Sequence, residues 1–508
     1  MPPEPDASPH LPHGESFDPT AGGAGTLPRS WARHFAAAPG RPALSAEDGT
    51  RLDYAALAAR SAAAAGRLHA RGLRAGDRVL VSCEASPALA VAHVACLRLG
   101  LVVVPANTAY RAPEIAHVVG DARPRAAIVD DPARAAAVRA ADAAVAILDP
   151  ALSIPDAAPP QLDVAGPGDA ALIGYTSGTT GRPKGAVLSH ANLLASAESL
   201  RLAWRWRADD RLLLALPLFH MHGLGVGLHG SLHAGASAQL LARFDPDGVL
   251  AAIARERATL FFGVPTMYHR LVSHPDAVAL RRLRLCVSGS APLPADLHAA
   301  FERATGQRIL ERYGMTETVM LVSNPVEGER RPGSVGLPLP GVELRLAGAP
   351  AEIQVRGANV FAGYWERPDA DAEAFTADGW FRTGDLGERD PDGYLRISGR
   401  AKELVISGGY NVYPREVEEA LRAHPGVEDA AVVGTPSEEW GECVTAYLVG
   451  ADAPSPEALR VFLADRLAPY KQPRIVHLVD ALPRNALGKV QKHRLRDGRV
   501  LPEKEPGA

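Results

Sequence analysis

A chain of 508 residues is too long for one core and implies two or three domains, and 47% hydrophobic with 22% charged residues is the composition of a soluble globular protein. The net charge of −4 offers no basic field for nucleic acid or an anionic membrane, and no run of about 18 apolar residues is present to span a bilayer. Four widely spaced cysteines (Cys83, Cys96, Cys286, Cys443), with no Cys-x-x-Cys pair and no secretory signal at the N-terminus, point to a reducing, cytoplasmic compartment and give neither a disulfide framework nor a zinc site.

Residues 1–28 hold Pro, Gly, His and Asp with few large apolar side chains and read as a poorly ordered tail. From Trp31 the pattern turns globular. Leu52-Asp53-Tyr54 followed by the alanine-rich 55–71 reads as a strand and then a helix, and buried strands at 78–82 and 102–105 flank a helix over 87–99. Short apolar runs at 126–129, 144–147, 212–216, 238–241, 260–262 and 283–287 continue the strand pattern. This alternation predicts an α/β fold, a mostly parallel sheet covered on both faces.

Between two of these strands lies Tyr175-Thr176-Ser177-Gly178-Thr179-Thr180-Gly181-Arg182-Pro183-Lys184-Gly185. Glycines leave backbone N–H groups free to point inward, and hydroxyls converging with a lysine form a cradle for phosphate oxygens. A P-loop is excluded, because Pro183 precedes the lysine and Gly185 follows it. The plain alternative is a flexible Ser/Gly loop. Ser189 is placed to cap a helix from His190.

Further along, Glu311-Arg312-Tyr313-Gly314-Met315-Thr316-Glu317-Thr318 sets a carboxylate beside a threonine, hard-oxygen chemistry that suits Mg2+ held on phosphates, and Tyr313 is able to stack on a purine. Asp385, after Gly384, suits a ribose diol because a carboxylate accepts two hydroxyl hydrogen bonds; a simple turn role is the alternative. After Gly399 the pattern changes to a short helix over 414–423, strands at 430–433 and 444–449, and a helix over 457–467, a compact domain of common size. The expected organisation is therefore a tail (1–28), a large domain (29–398), a hinge at 399–402 and a small domain (403–508).

These runs occur in the order of the motifs of the acyl-adenylate-forming (AMP-binding) superfamily, and the resemblance covers about residues 30–500. It implies a large N-terminal domain of parallel-sheet α/β subdomains with a small mobile α+β C-terminal domain. It also implies an acyl-CoA synthetase that uses ATP and CoA as substrates with Mg2+ as cofactor. Thr176, Ser177, Gly178, Thr179, Thr180, Gly181 and Lys184 would hold phosphates, with Thr316 on the phosphate and Glu317 on the metal. Ala291, Glu311, Arg312 and Tyr313 would line the nucleotide, and Asp385 with Arg400 would hold the ribose. The run Pro483–Lys489 resembles the family's Pro-x-x-x-x-Gly-Lys, whose lysine, here Lys489, acts on the carboxylate and α-phosphate in adenylation. Lys402 falls at the family's hinge, Gly408 and Gly409 at its pantetheine tunnel, and His220 at a gate near the acyl pocket, a reading preferred to zinc for His220-Met221-His222.

The helix after Gly263, the run 216–224 and the run 311–318 resemble malonyl-CoA synthetases. That resemblance assigns Arg270 and Ser290 to a distal carboxylate, with malonate as the acid and methylmalonate as a further fit; Arg284 is a weaker candidate. The alternatives are a ligase for a fatty or aryl monocarboxylic acid, or an enzyme that loads a carrier protein.

Overall fold

The computed structural model describes residues 9–176, 183–407, 410–437, 440–452, 454–485 and 488–496. The chain divides into two compact units, one of Met1–Leu344 with Val355–Phe381 and one of Arg345–Gln354 with Arg382–Ala508. The expected α/β class holds.

The first unit is built on two large, mainly parallel sheets. In the nine-stranded sheet, Leu310–Tyr313, Leu285–Ser288, Leu260–Gly263, Arg211–Leu214 and Ser237–Leu240 lie side by side in that order, all parallel. Their side chains are almost all buried, so both faces must be covered. One cover is the helix Pro265–Val272, which opens on a proline at its first turn. Tyr268 on this helix is fully buried and its hydroxyl donates toward the carbonyls of Val287 (2.9 Å) and Phe261 (3.1 Å), which fixes the helix to two strands at once.

The seven-stranded sheet contains the antiparallel pair Ala170–Thr176 and Lys184–Ser189, with Thr176 opposite Lys184. The helix His190–Ala203 follows, capped as expected: Ser189 Oγ accepts from Asn192 N at 3.1 Å.

Residues 9–28 correct the expectation of a poorly ordered tail. His10, Ala21 and Ala24 are buried, His10 Nε2 is 3.1 Å from the Leu337 carbonyl, and the Phe17 ring fills the space over Gly341. The few large apolar residues of the segment are put to use: Phe17 covers Gly341 and Leu27 is fully buried.

In the second unit, Phe381–Arg389 and Leu395–Arg400 form an antiparallel pair in a four-stranded sheet with Glu352–Gly357. A second sheet holds Asp429–Ser437 against Gly441–Val449, covered by the helices Pro414–Arg422 and Pro456–Ala464. Compactness thus groups the strand pair carrying Asp385 and Arg400 with the C-terminal part, ahead of residues 399–402. At that position stands a 3-10 turn, Ala401–Glu403, with Lys402 exposed. Among the described residues no helix is long and apolar enough to cross a membrane.

Candidate active site

Four neighbouring parallel strands of the first unit end on the same side, and their following segments carry the residues singled out above. Ligands in open α/β sheets bind outside the carboxyl ends of strands. After Arg211–Leu214 comes His220–His222, after Leu260–Gly263 the helix with Arg270, after Leu285–Ser288 the run Gly289–Ala291, and after Leu310–Tyr313 the run Gly314–Glu317.

Arg312 is the most unusual of these residues. Its side chain is buried, and its Nε and Nη2 have no hydrogen-bond partner among the described residues. Burial pulls its pKa down to about 9. A Cβ on Gly289 would fall 2.5 Å from the Arg312 Cζ and Nε, so only glycine lets the planar guanidinium lie against this backbone. Ser290 follows with a φ of 69°, the left-handed region that a non-glycine residue adopts at a cost. Its Oγ is 3.3 Å from Nδ1 of His222, and His222 is buried and stacked on Phe262. Burial, then the charge of Arg312 and the neighbouring His220, hold the His222 imidazole well below its usual pKa and therefore neutral. His220, half-buried, accepts from the His222 N–H through Nδ1 at 3.2 Å. His222 also begins a π-helical turn, His222–Leu228, a feature frequent at functional sites.

The hairpin Ala170–Ser189 meets the same region. A Cβ on Gly174 would fall 2.5 Å from Thr316 Cγ2, which places Thr316 on the strand leading into 177–182. Glu317 is buried, and the Tyr364 hydroxyl donates to its Oε1 at 3.0 Å. The Lys184 ammonium lies 5.3 Å from the centre of the Tyr364 ring. Thr316, Glu317, Lys184 and Tyr364 therefore form one patch against the strand pair Ala170–Thr176 and Lys184–Ser189. A buried carboxylate next to a hydroxyl and a lysine is a donor set that fits Mg2+ on phosphates, since Mg2+ takes one or two carboxylates and fills its remaining positions with water and substrate oxygens. Glu311 serves the frame: its Oε1 accepts from Leu293 N at 3.1 Å.

In the second unit Asp385 and Arg400 face each other across the antiparallel pair, with Arg400 Nε 2.9 Å from Asp385 Oδ1. Asp385 is buried. Lys489 is half-buried, and burial together with Arg400 brings its pKa down to about 8, against the pull of Asp385 and Glu403.

A family model described as AMP-binding enzyme matches residues 31–365, and one described as AMP-binding enzyme C-terminal domain matches residues 416–489. The chain belongs to the AMP-binding enzyme family, in its acyl-CoA synthetase branch. The synthetase is 40% identical over 465 residues to a feruloyl-CoA synthase of Amycolatopsis sp, covering 88% of this chain and 94% of that one. It is also similar to the crystal structure of ATP-bound MatB from Rhodopseudomonas palustris (TM-score 0.88, 41% identity, 93% of this chain and 98% of that one). A malonyl-CoA ligase, solved as a ternary product complex with methylmalonyl-CoA and AMP bound, matches at TM-score 0.67 and 44% identity over 90% of this chain and 99% of that one.

Within the synthetase, Ser177, Gly178, Thr179, Thr180, Gly181, Gly408 and Gly409 lie outside the described residues. Thr176, Lys184, Thr316 and Glu317 come together, and Ser290, Ala291, His220 and Arg312 share one end of the sheet. Arg270 sits on the exposed side of its helix, with its guanidinium 5.2 Å from the centre of the Phe244 ring. Arg284 is structural, paired with the buried Asp210 through its Nε at 2.7 Å and donating to the Trp204 carbonyl. One residue was missed by sequence reasoning. Tyr364 lies outside every motif, and its only signal is a place on the short strand Gly363–Tyr364 beside Lys184–Ser189. Arg312, which the resemblance assigns to the nucleotide, packs against Gly289 at the end of the strand Leu285–Ser288.

Proposed function

We propose that this synthetase activates malonate, with methylmalonate as a further substrate, through an acyl-adenylate and transfers it to CoA. The observation that carries the reading is Arg312: a buried guanidinium whose Nε and Nη2 have no hydrogen-bond partner among the described residues, packed on Gly289 next to Ser290, which in turn meets a neutral imidazole. An unpaired buried cation is costly, and a bound distal carboxylate offsets that cost with a charge-assisted, planar match. The similarity to a malonyl-CoA ligase supports the same acid. Arg270, assigned to the distal carboxylate by the resemblance, is kept as a second candidate contact for that carboxylate.

In the first step an oxygen of the reacting carboxylate attacks the α-phosphorus of ATP, the bond to the bridging oxygen breaks, and pyrophosphate leaves. Such a step depends on positioning and charge stabilisation. Lys184, Thr176 and Thr316 orient phosphate oxygens, Lys489 neutralises charge at the α-phosphate and carboxylate, and Asp385 with Arg400 holds the ribose. Glu317, steadied by Tyr364, would hold Mg2+, which neutralises charge on the departing pyrophosphate. In the second step the CoA sulfur attacks the acyl carbon and AMP leaves, with Gly408 and Gly409 lining the thiol's path and Lys402 as the pivot of the small domain.

A monocarboxylic aryl acid is the competing reading, supported by the similarity to a feruloyl-CoA synthase. An aromatic ring against Arg312 would leave its charge unmatched, which weighs against it. Incubation with ATP, Mg2+ and CoA, with AMP, pyrophosphate and the thioester identified by mass, decides between them: malonyl-CoA is the expected product. Feruloyl- or benzoyl-CoA formed in preference would overturn the malonate assignment, and acid-dependent pyrophosphate release without thioester would indicate a carrier protein as acceptor.

A further inference from the structure

The segment after Lys489 ends in a short helix, Lys492–Arg496, which holds the turn Ala401–Glu403 at two points. Lys492 Nζ is 3.3 Å from Glu403 Oε2, and Arg496 Nη1 donates to the Lys402 carbonyl at 3.4 Å. Lys492 is anchored on its other side by Glu418, 2.7 Å from Nζ. Glu418 belongs to the buried face of the helix Pro414–Arg422, and its Oε1 also accepts from Val432 N at 2.8 Å. The Lys492 side chain is 18% exposed and that of Glu418 9%, so this is an ion-pair network on a packed surface and unlike a solvated pair that salt would screen.

A buried ion pair is weak evidence for stability, because its replacement by apolar side chains is often neutral. The location of this network points to its role. Glu403 feels Lys492, Arg400 and Lys489 together, and those charges hold its carboxyl below its usual range. The turn, the catalytic-lysine segment and the domain core thus meet at one ammonium.

We propose that Lys492, held between Glu403 and Glu418, is a positioning residue that couples the turn at Lys402 to Lys489, so that movement of the turn is transmitted to the lysine rather than absorbed by the intervening chain. This inference rests on the roles proposed above for Lys489 and Lys402. Loss of the link would leave Lys489 chemically intact and poorly placed. Misplacement of a reacting group by about 1 Å costs on the order of 100-fold.

The test separates the two half-reactions in the full-length enzyme. Malonate-dependent ATP–pyrophosphate exchange reports adenylation, and thioester formation from supplied malonyl-adenylate and CoA reports the second step. Lys492→Met and Glu403→Gln are expected to lower exchange on the order of 10- to 100-fold and to leave the second step within about threefold. Lys492→Arg, which keeps both ion pairs, should restore exchange, and Arg496→Ala, which removes only the contact to the Lys402 carbonyl, should give a smaller loss of the same kind. Equal loss of both half-reactions in Lys492→Met would show a merely structural role and overturn the proposal, as would exchange at the wild-type rate. Lys489→Ala is the control. If it retains exchange, the reading of Lys489 fails and the coupling fails with it; if it abolishes exchange while Lys492→Met does not, only the coupling is wrong.

Discussion

The Arg312 guanidinium lies against the backbone of Gly289, so close that a side chain at position 289 would occupy its place. Strand pairing sets up the contact: Ser288 and Glu311 are partners in adjacent parallel strands, and Gly289 follows the end of its strand while Arg312 stays in its own, paired with Ser323. Glycine at 289 is thereby tied to the proposed substrate contact on another strand.

Gly289→Ala should therefore displace the Arg312 guanidinium, because the added Cβ would overlap it and the end of a long side chain moves more readily than the backbone at 289. The expected result is a rise in KM for malonate of roughly tenfold or more with the KM for ATP little changed, a split characteristic of lost substrate binding. A parallel rise in both constants would show that Arg312 serves the nucleotide.

The pair Asp385–Arg400 predicts a ribose-dependent loss. Asp385→Asn should raise the KM for ATP roughly 10- to 100-fold, as expected when a charged hydrogen-bond acceptor is made neutral. The discriminating measurement uses 2′-deoxy-ATP: the wild type should prefer ATP to it, and Asp385→Asn should lose much of that preference. A preference that survives the substitution would place the ribose elsewhere.

Lys489 supplies a pH dependence. With its pKa brought down to about 8, the free enzyme loses the ammonium as pH rises through that value, so kcat/KM for ATP should fall on the alkaline side. Lys489→Arg stays charged throughout this range, so its lower activity should lack that alkaline limb. A wild-type profile flat to about pH 10 would contradict a role for this ammonium, because an unperturbed lysine titrates only near there.

Stability should fall in mild acid. In the first unit His93 and His229 are buried with their Nε2 atoms 2.8 Å apart, and His190 is buried nearby. Burial brings His93 and His190 down to about 4, and His229 well below its usual value. An unfolded histidine titrates near 6.5, so between about pH 6.5 and 4 the unfolded chain takes up protons that the folded one refuses, and stability drops as pH falls. Calorimetry at about pH 7 and about pH 5 should show a lower Tm at the acid end, and His229→Asn should reduce that difference. An unchanged Tm would mean that these imidazoles accept protons in place.

Much of this was legible in the sequence because it is local. Strand and helix alternation, the Ser189 cap and the proline at the start of 265–272 are encoded within a few residues, and the phosphate patch and the Asp385–Arg400 pair follow from motif order. What was not legible depends on contacts between distant segments. The packing of residues 9–28 is set by Phe17 over Gly341, Tyr364 reaches Glu317 from a separate strand, and the burial of Arg312 is decided by Gly289. Arg270 shows the converse: helical spacing groups it with Met267 and Leu271, yet only Leu271 is buried while Arg270 is exposed over Phe244.

The central claim is tested most directly by the ratio of kcat/KM for malonate to that for ferulate, measured in the wild type and in Arg312→Met. The wild type should favour malonate strongly, and the substitution should lower malonate use by roughly 100- to 1000-fold, about 3–4 kcal/mol of transition-state stabilisation, with much less effect on any residual ferulate activity. A wild-type preference for ferulate, or an Arg312→Met enzyme that keeps its malonate preference, would contradict the account.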